Sequence, residues 1–170
     1  MLNEILKNSG RFIILVLIQA LIVSHFGLGR FINPFIYVLF ILMLPFEIPG
    51  LLLLVLGFLL GIVMDLFSDT MGMHTAASVF MAFCRPAILK LFSPREGYSF
   101  GVQPTVQYLG IPWFLSYAGL LIFLHHLILF YTEVFRFSEF FSTLLRVILS
   151  SAASLTLVLL TQFLFYKGKK

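Results

Sequence analysis

Charged residues and cysteine are both scarce in this sequence, and each scarcity excludes a class of protein. Only 11% of the 170 residues are charged, whereas about a quarter are charged in a typical soluble domain. A soluble fold of this size could not hide an apolar content of 61%, because most of its residues would still touch water. The single cysteine, Cys84, excludes a disulfide framework within the chain, and its apolar surroundings predict a packing role.

Motifs for catalysis and for ligand chemistry are missing as well. There is no GxSxG elbow, no HExxH pair, no glycine-rich phosphate loop followed by lysine, and no pair of carboxylates placed for acid–base work. The basic residues do not form a stripe interleaved with aromatic residues, so no nucleic-acid surface is expected. We predict a protein that is not an enzyme and that has no cofactor and no metal site.

Long apolar runs fill the space between the few charges. A helix needs about 20 apolar residues to cross a bilayer. We therefore predict an all-α, polytopic membrane bundle of about six transmembrane helices in a single domain, residues 1–170. The second run is short and carries a proline near each end, so the number of crossings depends on it. The six runs are Phe12–Leu28, Phe31–Phe46, Leu51–Leu66, a fourth that begins at Met71 or His74 and ends at Phe92, Ile111–Tyr131 and Phe140–Tyr166.

The distribution of basic residues predicts the orientation in the membrane. Cytoplasmic loops of membrane proteins carry an excess of lysine and arginine. With six crossings, the side that holds the amino terminus receives most of these residues, and the opposite side receives three. Both termini are therefore predicted to be cytoplasmic. The first group is Lys7, Arg11, Lys90, Arg95, Lys167, Lys169 and Lys170, and the second is Arg30, Arg136 and Arg146.

The densest polar stretch joins the third and fourth apolar runs. Gly57, Gly61, Asp65 and Asp69 recur every four residues, so they share one face if the helix extends that far. Two glycines at this spacing let another helix approach closely. Two interpretations of the carboxylates stay open. In the first, Asp65 lies at the water interface and Asp69 caps the next helix. In the second, a carboxylate is buried for packing or for contact with a partner.

A polar face is also predicted on the fourth segment. His74, Ser78, Met81 and Arg85 are spaced by four, three and four residues, which places them on one side of a helix. Because charge inside a membrane is costly, this face is expected to point at protein rather than lipid. Arg85 either extends to the lipid headgroups or pairs with a buried carboxylate such as Glu47.

The last two segments carry further polar residues. His125 and His126 are adjacent, so they point about 100° apart on a helix, and interhelical hydrogen bonds are expected rather than a shared metal. Arg146, Ser150 and Ser154 share a face of the last segment. The small residues on it predict a close contact with another helix.

The stretch GFLLGIVMDLFSDTMGMHTAASVFMAF, Gly57–Phe83, resembles a known family. It combines a glycine-containing helix that ends at Asp65, a short connection with Ser68 and Gly72, and His74 at the start of a helix of small residues. In these features it resembles the rod shape-determining protein MreD as that family appears in Bacteroidetes-like bacteria. The positions that the match carries over are Asp65, Ser68, Asp69, Gly72 and His74.

The resemblance implies a role in the bacterial inner membrane. MreD proteins are non-enzymatic scaffold subunits of the cell-wall elongation complex, which maintains cell shape. They bind MreC and act with MreB, RodA and a class B penicillin-binding protein, surrounded by membrane lipid. The implied fold is similar to the substrate-binding subunits of energy-coupling-factor transporters. The resemblance implies no role for the polar loop at residues 93–110.

Two expectations follow for binding. If the chain is a scaffold, a partner helix should lie against a face of small residues, either Gly57 and Gly61 or Ser150 and Ser154. The alternative is a transporter subunit that captures a small vitamin-like molecule. That function needs a concave pocket with a few convergent polar groups near His74, Asp69 and the last segment.

Overall fold

The computed structural model describes residues 2–164 except 26–28, 30, 100 and 136, and the side chains of residues 2–5, 25 and 137 are also outside the description. The described residues form seven α-helices and two short 3-10 helices, Val23–His25 and Phe137–Glu139, and they contain no strand. The α-helices are α1 (Leu2–Leu21), α2 (Leu39–Leu42), α3 (Gly50–Ser68), α4 (Met73–Leu91), α5 (Val106–Leu109), α6 (Ile111–Val134) and α7 (Phe140–Leu164).

Three of these helices are long and apolar enough to cross a membrane, namely α3, α6 and α7. Helices α1 and α4 have similar lengths, 20 and 19 residues, but they are less apolar because they carry charged residues along their length. The chain is thus an all-helical protein of membrane character. Among the described residues, however, fewer helices meet this criterion than the six that the apolar runs predict.

The long helices pack side by side. Helix α3 forms a hairpin with α4, α4 packs on α6, α6 packs on α7, and α1 lies against α3. We call the end at which α1 and α3 begin the lower end, and the opposite end the upper end. The turns between α3 and α4 and between α6 and α7 are then both at the upper end.

The second apolar run is not a transmembrane helix. Residues 31–37 form no helix, and the only α-helix within Phe31–Phe46 is the four-residue α2. Two of the prolines explain the break, because Pro34 and Pro45 lack the N–H group that a helix requires. Residues 36–44 are nevertheless buried, each at 8% exposure or less. The prediction of a helical second crossing is therefore wrong.

Residues 31–44, which we call the unwound segment because only the four residues of α2 are helical, run through the interior of the bundle. Its start lies beside Ser150 of α7 and its end lies beside Gln162 of the same helix. These two positions are about 18 Å apart along a helix. Backbone without helical hydrogen bonds is tolerated at membrane depth only where protein buries it, and here helices surround it.

The glycines of α3 bring α4 close, as the four-residue spacing predicts. A Cβ atom on Gly57 would lie 3.0 Å from the Cβ atom of Ala82, and one on Gly61 would lie 2.3 Å from the Cα atom of Thr75. Real Cβ atoms do not approach backbone atoms so closely. The helix that uses this face is α4 of the same chain, so the face is not open to a partner.

The first segment differs from its prediction, and several basic residues lie outside the described part of the chain. Helix α1 begins at Leu2, ten residues before the predicted start at Phe12, and it ends at Leu21. The predicted end at Leu28 lies outside the described residues. Five of the basic residues that predict the orientation also lie outside the described residues: Arg30, Arg136, Lys167, Lys169 and Lys170. The orientation therefore stays a prediction.

Aromatic residues join the 93–110 loop to the lower end of the bundle. The rings of Tyr98 and Phe46 stack at 4.2 Å, and the Trp113 indole donates to the Phe92 carbonyl at 2.8 Å. Glu47 lies in an exposed turn and accepts a hydrogen bond from the backbone N–H of Gly101 at 3.0 Å. The loop therefore covers the lower end of the helices.

Replacing Gly61 by alanine should push α3 and α4 apart, because the new methyl group meets Thr75 backbone. We expect a loss of roughly 1–3 kcal/mol, the usual cost of overpacking. Thermal unfolding in detergent is the measurement. Gly10→Ala in α1 is the matched control, since a Cβ atom there has no neighbour within 4 Å. Equal melting temperatures for the two variants would contradict the close packing of the hairpin.

Candidate functional site

Hydrogen bonds from side chains hold the unwound segment in place. Gln19 of α1 uses both ends of its amide: its Nε2 donates to the Pro34 carbonyl at 3.3 Å, and its Oε1 accepts from the Ile36 N–H at 2.7 Å. The Gln19 side chain is fully buried. A single amide thus replaces two of the backbone bonds that a helix would have made.

Two serines of α7 do the same from the other side. The Ser150 hydroxyl accepts from the Asn33 N–H at 3.0 Å and donates to the Phe31 carbonyl at 3.2 Å. The Ser154 hydroxyl accepts from the Phe35 N–H at 2.8 Å. The small-residue face of the last segment does make a close contact, as predicted. Its neighbour is the unwound segment of the same chain rather than another helix.

Arg85 closes the lower part of the segment. It is only 1% exposed, its Nε donates to the Tyr117 hydroxyl at 2.8 Å, and its guanidinium donates to the Leu44 and Pro45 carbonyls. The Tyr117 hydroxyl in turn donates to the Leu42 carbonyl at 3.0 Å. Both predictions for Arg85 are wrong: it reaches neither lipid headgroups nor a carboxylate. Arg85 donates instead to backbone carbonyl groups that follow the end of α2.

A buried tyrosine links two histidines near the centre of the bundle. The Tyr37 hydroxyl lies 2.8 Å from His74 Nδ1 and 2.8 Å from His125 Nε2. His125 Nδ1 is buried without a partner, and an unpaired N–H is rarer in protein interiors than an unpaired acceptor. One of the two histidines must keep an N–H without a partner, and His74 lines a polar cavity whereas His125 Nδ1 is fully buried, so we assign the proton of His125 to Nε2, which donates to Tyr37. Tyr37 then donates to His74 Nδ1, and the proton of His74 sits on Nε2.

The neighbouring histidine has a different set of partners. His126 Nδ1 is 2.8 Å from the Ile122 carbonyl, which can only accept, so this nitrogen carries the proton. His126 Nε2 then accepts from the Ser154 hydroxyl at 3.0 Å. His125 and His126 thus point at different elements, as their adjacency predicts. The described residues contain no group of three or more His, Cys, Asp or Glu side chains that could hold a metal ion.

Asp65 ties the α3–α4 hairpin together at its upper end. Its Oδ1 accepts from the His74 N–H at 2.9 Å and its Oδ2 from the Thr75 N–H at 2.9 Å. The hydroxyls of Thr70 and Thr75 donate to the same carboxylate, each at 2.5 Å. A negative charge is favourable at the start of a helix, where N–H groups are free. The capping role predicted for Asp69 therefore belongs to Asp65.

The connection between these helices depends on left-handed backbone. Asp69 is exposed and ends α3 with φ at +52°, and Gly72 precedes α4 with φ at +83°. Glycine adopts this conformation without steric cost, whereas few other residues do. The two reversals turn the chain so that Asp65 meets the first N–H groups of α4.

A polar cavity of about 240 Å³ opens at the upper end of the bundle. It lies where α1, α3 and α6 end, where α4 and α7 begin, and where the unwound segment starts. Polar side chains from all of these elements line it together with aromatic ones. The polar residues at its wall include Gln19, Asn33, Ser68, Thr70, His74, Glu133 and Arg146.

An ion pair stands at this cavity. Arg146 Nη1 lies 3.0 Å from Glu133 Oε1, and the two side chains are 22% and 40% exposed. With the Asn33 amide oriented so that its oxygen faces Arg146, that oxygen accepts from Nε at 3.0 Å and from Nη2 at 3.1 Å. The guanidinium also lies 4.1 Å above the ring of Phe130. Arg146 is thus held on three sides.

The predicted site residues separate into distinct groups in space. Ser68, His74 and Arg146 line the cavity, whereas Arg85 lies in the lower half of the bundle. The sequence analysis did not predict Gln19, Asn33 and Glu133 at the cavity or Tyr117 beside Arg85. For Gln19, the available signal was a polar residue within a long apolar run. The predicted polar face of α4 is confirmed, because His74, Ser78, Met81 and Arg85 are all buried.

Comparison of the chain with protein-family models, with curated proteins and with solved structures gives no match. The resemblance of Gly57–Phe83 to MreD therefore stays a prediction from sequence.

Replacing Gln19 by leucine should destabilise the protein, because it leaves the Pro34 carbonyl and the Ile36 N–H buried without partners. An unsatisfied buried group costs about 1–3 kcal/mol. Thr156→Val is the control, since Thr156 is exposed and bonds only to a carbonyl of its own helix. Thermal unfolding and protease resistance in detergent report the difference. A Gln19→Leu protein as stable as the control would contradict the supporting role of the amide.

Proposed function

We propose that this protein is a non-enzymatic scaffold subunit of the bacterial cell-wall elongation complex, similar to MreD. It lies in the inner membrane with both termini and the lower end in the cytoplasm, and it binds MreC. The proposal is supported by the resemblance of Gly57–Phe83 to MreD and by the three helices that are long and apolar enough to cross a membrane. Within that stretch, Gly57 and Gly61 allow the close packing of α3 on α4, and Asp65 caps α4.

That hairpin bears on where a partner could bind. The face of Gly57 and Gly61 is covered by α4, and the face of Ser150 and Ser154 is covered by the unwound segment. Neither is available to a second chain. A partner helix must therefore bind a surface that the chain leaves open.

The apolar groove between α1 and α3 is such a surface. It has a volume of about 730 Å³ and lies in the lower half of the bundle, with the end of the unwound segment as its floor. Exposed apolar side chains of both helices border it, including Ile13, Leu52 and Leu59. We propose that the single membrane-spanning helix of MreC packs here, with its side chains inserted between the two helices. The other wall residues include Phe12, Phe40, Leu44 and Leu56.

Filling the groove tests this proposal. Leu56→Trp places a large ring between α1 and α3, and we expect at least a tenfold loss of MreC recovered with the protein from mild detergent. Leu160→Trp on α7 is the matched control, because Leu160 is 59% exposed and is not a wall residue of the groove. Equal recovery with both variants would place the contact elsewhere.

The scaffold role itself has a separate test. Depletion of the protein should turn rod-shaped cells round, and MreC should be recovered with the unaltered protein. Normal cell shape after depletion, together with no recovery of MreC, would overturn the role. If the groove holds only lipid and MreC binds elsewhere, the scaffold role stands but the groove is not its docking surface.

The polar cavity favours the alternative, a small-molecule role. That function requires a concave polar site near His74 and the last segment, and the cavity is lined by His74 and by Arg146 of α7. Asp69, which was expected at this site, is not one of its wall residues.

A further inference from the structure

The upper-end cavity has wall groups fixed in advance of any ligand. Arg146 is held by Asn33, Glu133 and the Phe130 ring, and His74 is held by Tyr37 and by the Asp65 cap. Preorganised groups bind well because little conformational freedom is lost on binding. Arg146, Glu133 and His74 each keep hydrogen-bonding groups that no described residue uses.

Arg146 keeps two donors. A guanidinium has five N–H groups, and Nε, Nη2 and Nη1 each spend one on Asn33 or Glu133. One N–H on each terminal nitrogen is left. Each can donate to a carbonyl or carboxylate oxygen of a ligand.

Glu133 keeps an acceptor beside those donors. Its Oε1 is paired with Arg146, and no hydrogen bond within the described part of the chain uses its second oxygen. The pair also balances its own charge. A ligand with a net charge would therefore bring an uncompensated charge into a partly enclosed site, which is costly.

His74 supplies a third group at greater depth. It is 5% exposed, its Nδ1 is bonded to Tyr37, and Nε2 has no partner among the described residues. With the tautomer assigned above, Nε2 carries a proton and donates. Phe35, Phe130 and Met73 provide apolar wall around these polar groups.

We propose that this cavity binds a small uncharged molecule that presents a carbonyl oxygen next to an N–H group, as in an amide, a lactam or a ureido group, on an aromatic or apolar ring. The carbonyl oxygen accepts from Arg146, the N–H donates to Glu133, and the ring packs against Phe35 and Met73, which are only partly buried. This role goes beyond scaffolding, which needs no ligand, and it names the chemistry that the small-molecule alternative would use.

Nicotinamide and nicotinate form a matched pair of probes, because they share ring and size but nicotinate is an anion at neutral pH. Binding to the purified full-length protein in lipid nanodiscs can be followed by isothermal titration or by ligand-observed NMR. We expect saturable binding of nicotinamide, with a dissociation constant on the order of millimolar for so small a probe. Nicotinate should bind at least tenfold more weakly.

Removing the charge of Glu133 gives the decisive comparison. Glu133→Gln leaves Arg146 without its counter-charge, so the preference should reverse toward nicotinate. Glu96→Gln, in the exposed lower loop, removes one negative charge far from the cavity and should leave the preference unchanged. A protein that merely unfolds would lose both probes, whereas the proposal predicts a gain for one of them.

Three results would overturn the proposal: no binding of nicotinamide, equal binding of both probes to the unaltered protein, or the same order of affinity in Glu133→Gln. Recovery of MreC with each variant separates this test from that of the scaffold role. If the ligand site fails while MreC is still recovered, the scaffold proposal is unaffected.

Discussion

The structure depends on hydrogen bonding to a stretch of backbone that is helical only over the four residues of α2 yet lies inside a membrane-type bundle. Residues 31–44 have few internal bonds at their start, and no lipid or apolar side chain can supply replacements. Each polar group left unpaired would cost about 1–3 kcal/mol. The polar residues of the surrounding helices are placed accordingly: Gln19, Arg85, Tyr117, Ser150 and Ser154 all bond to this segment or support a group that does.

This segment also connects the two open features of the molecule. Residues 33–35 form part of the wall of the polar cavity, and Phe40 and Leu44 form part of the wall of the apolar groove. One stretch of chain thus meets the site proposed for a small molecule and the site proposed for MreC. Its bonds to helices on both sides keep its position fixed, which gives each site a preformed wall.

The motif in the α3–α4 hairpin suggests a binding surface in the sequence, but in the structure its residues hold the two helices together. Gly57, Gly61 and Asp65 are small or polar residues in a largely apolar chain, so the sequence alone suggests that they contact another protein. In the structure all three serve contacts within the chain. The unpaired groups that a ligand could use are on other helices: His74 at the start of α4, Glu133 on α6 and Arg146 on α7.

The sequence by itself determined the helical membrane character, the ends of α3, α4, α6 and α7 to within a few residues, and the buried polar face of α4. These follow from local periodicity and from the length of apolar runs, which need no knowledge of neighbours. Only the tertiary structure decided that the second run is unwound, that Asp65 rather than Asp69 caps α4, and that Arg85 is buried among carbonyl groups. Each of these depends on which groups meet across the bundle. The pairing of Arg146 with Glu133 is likewise a product of folding, since a turn separates the helices that carry them.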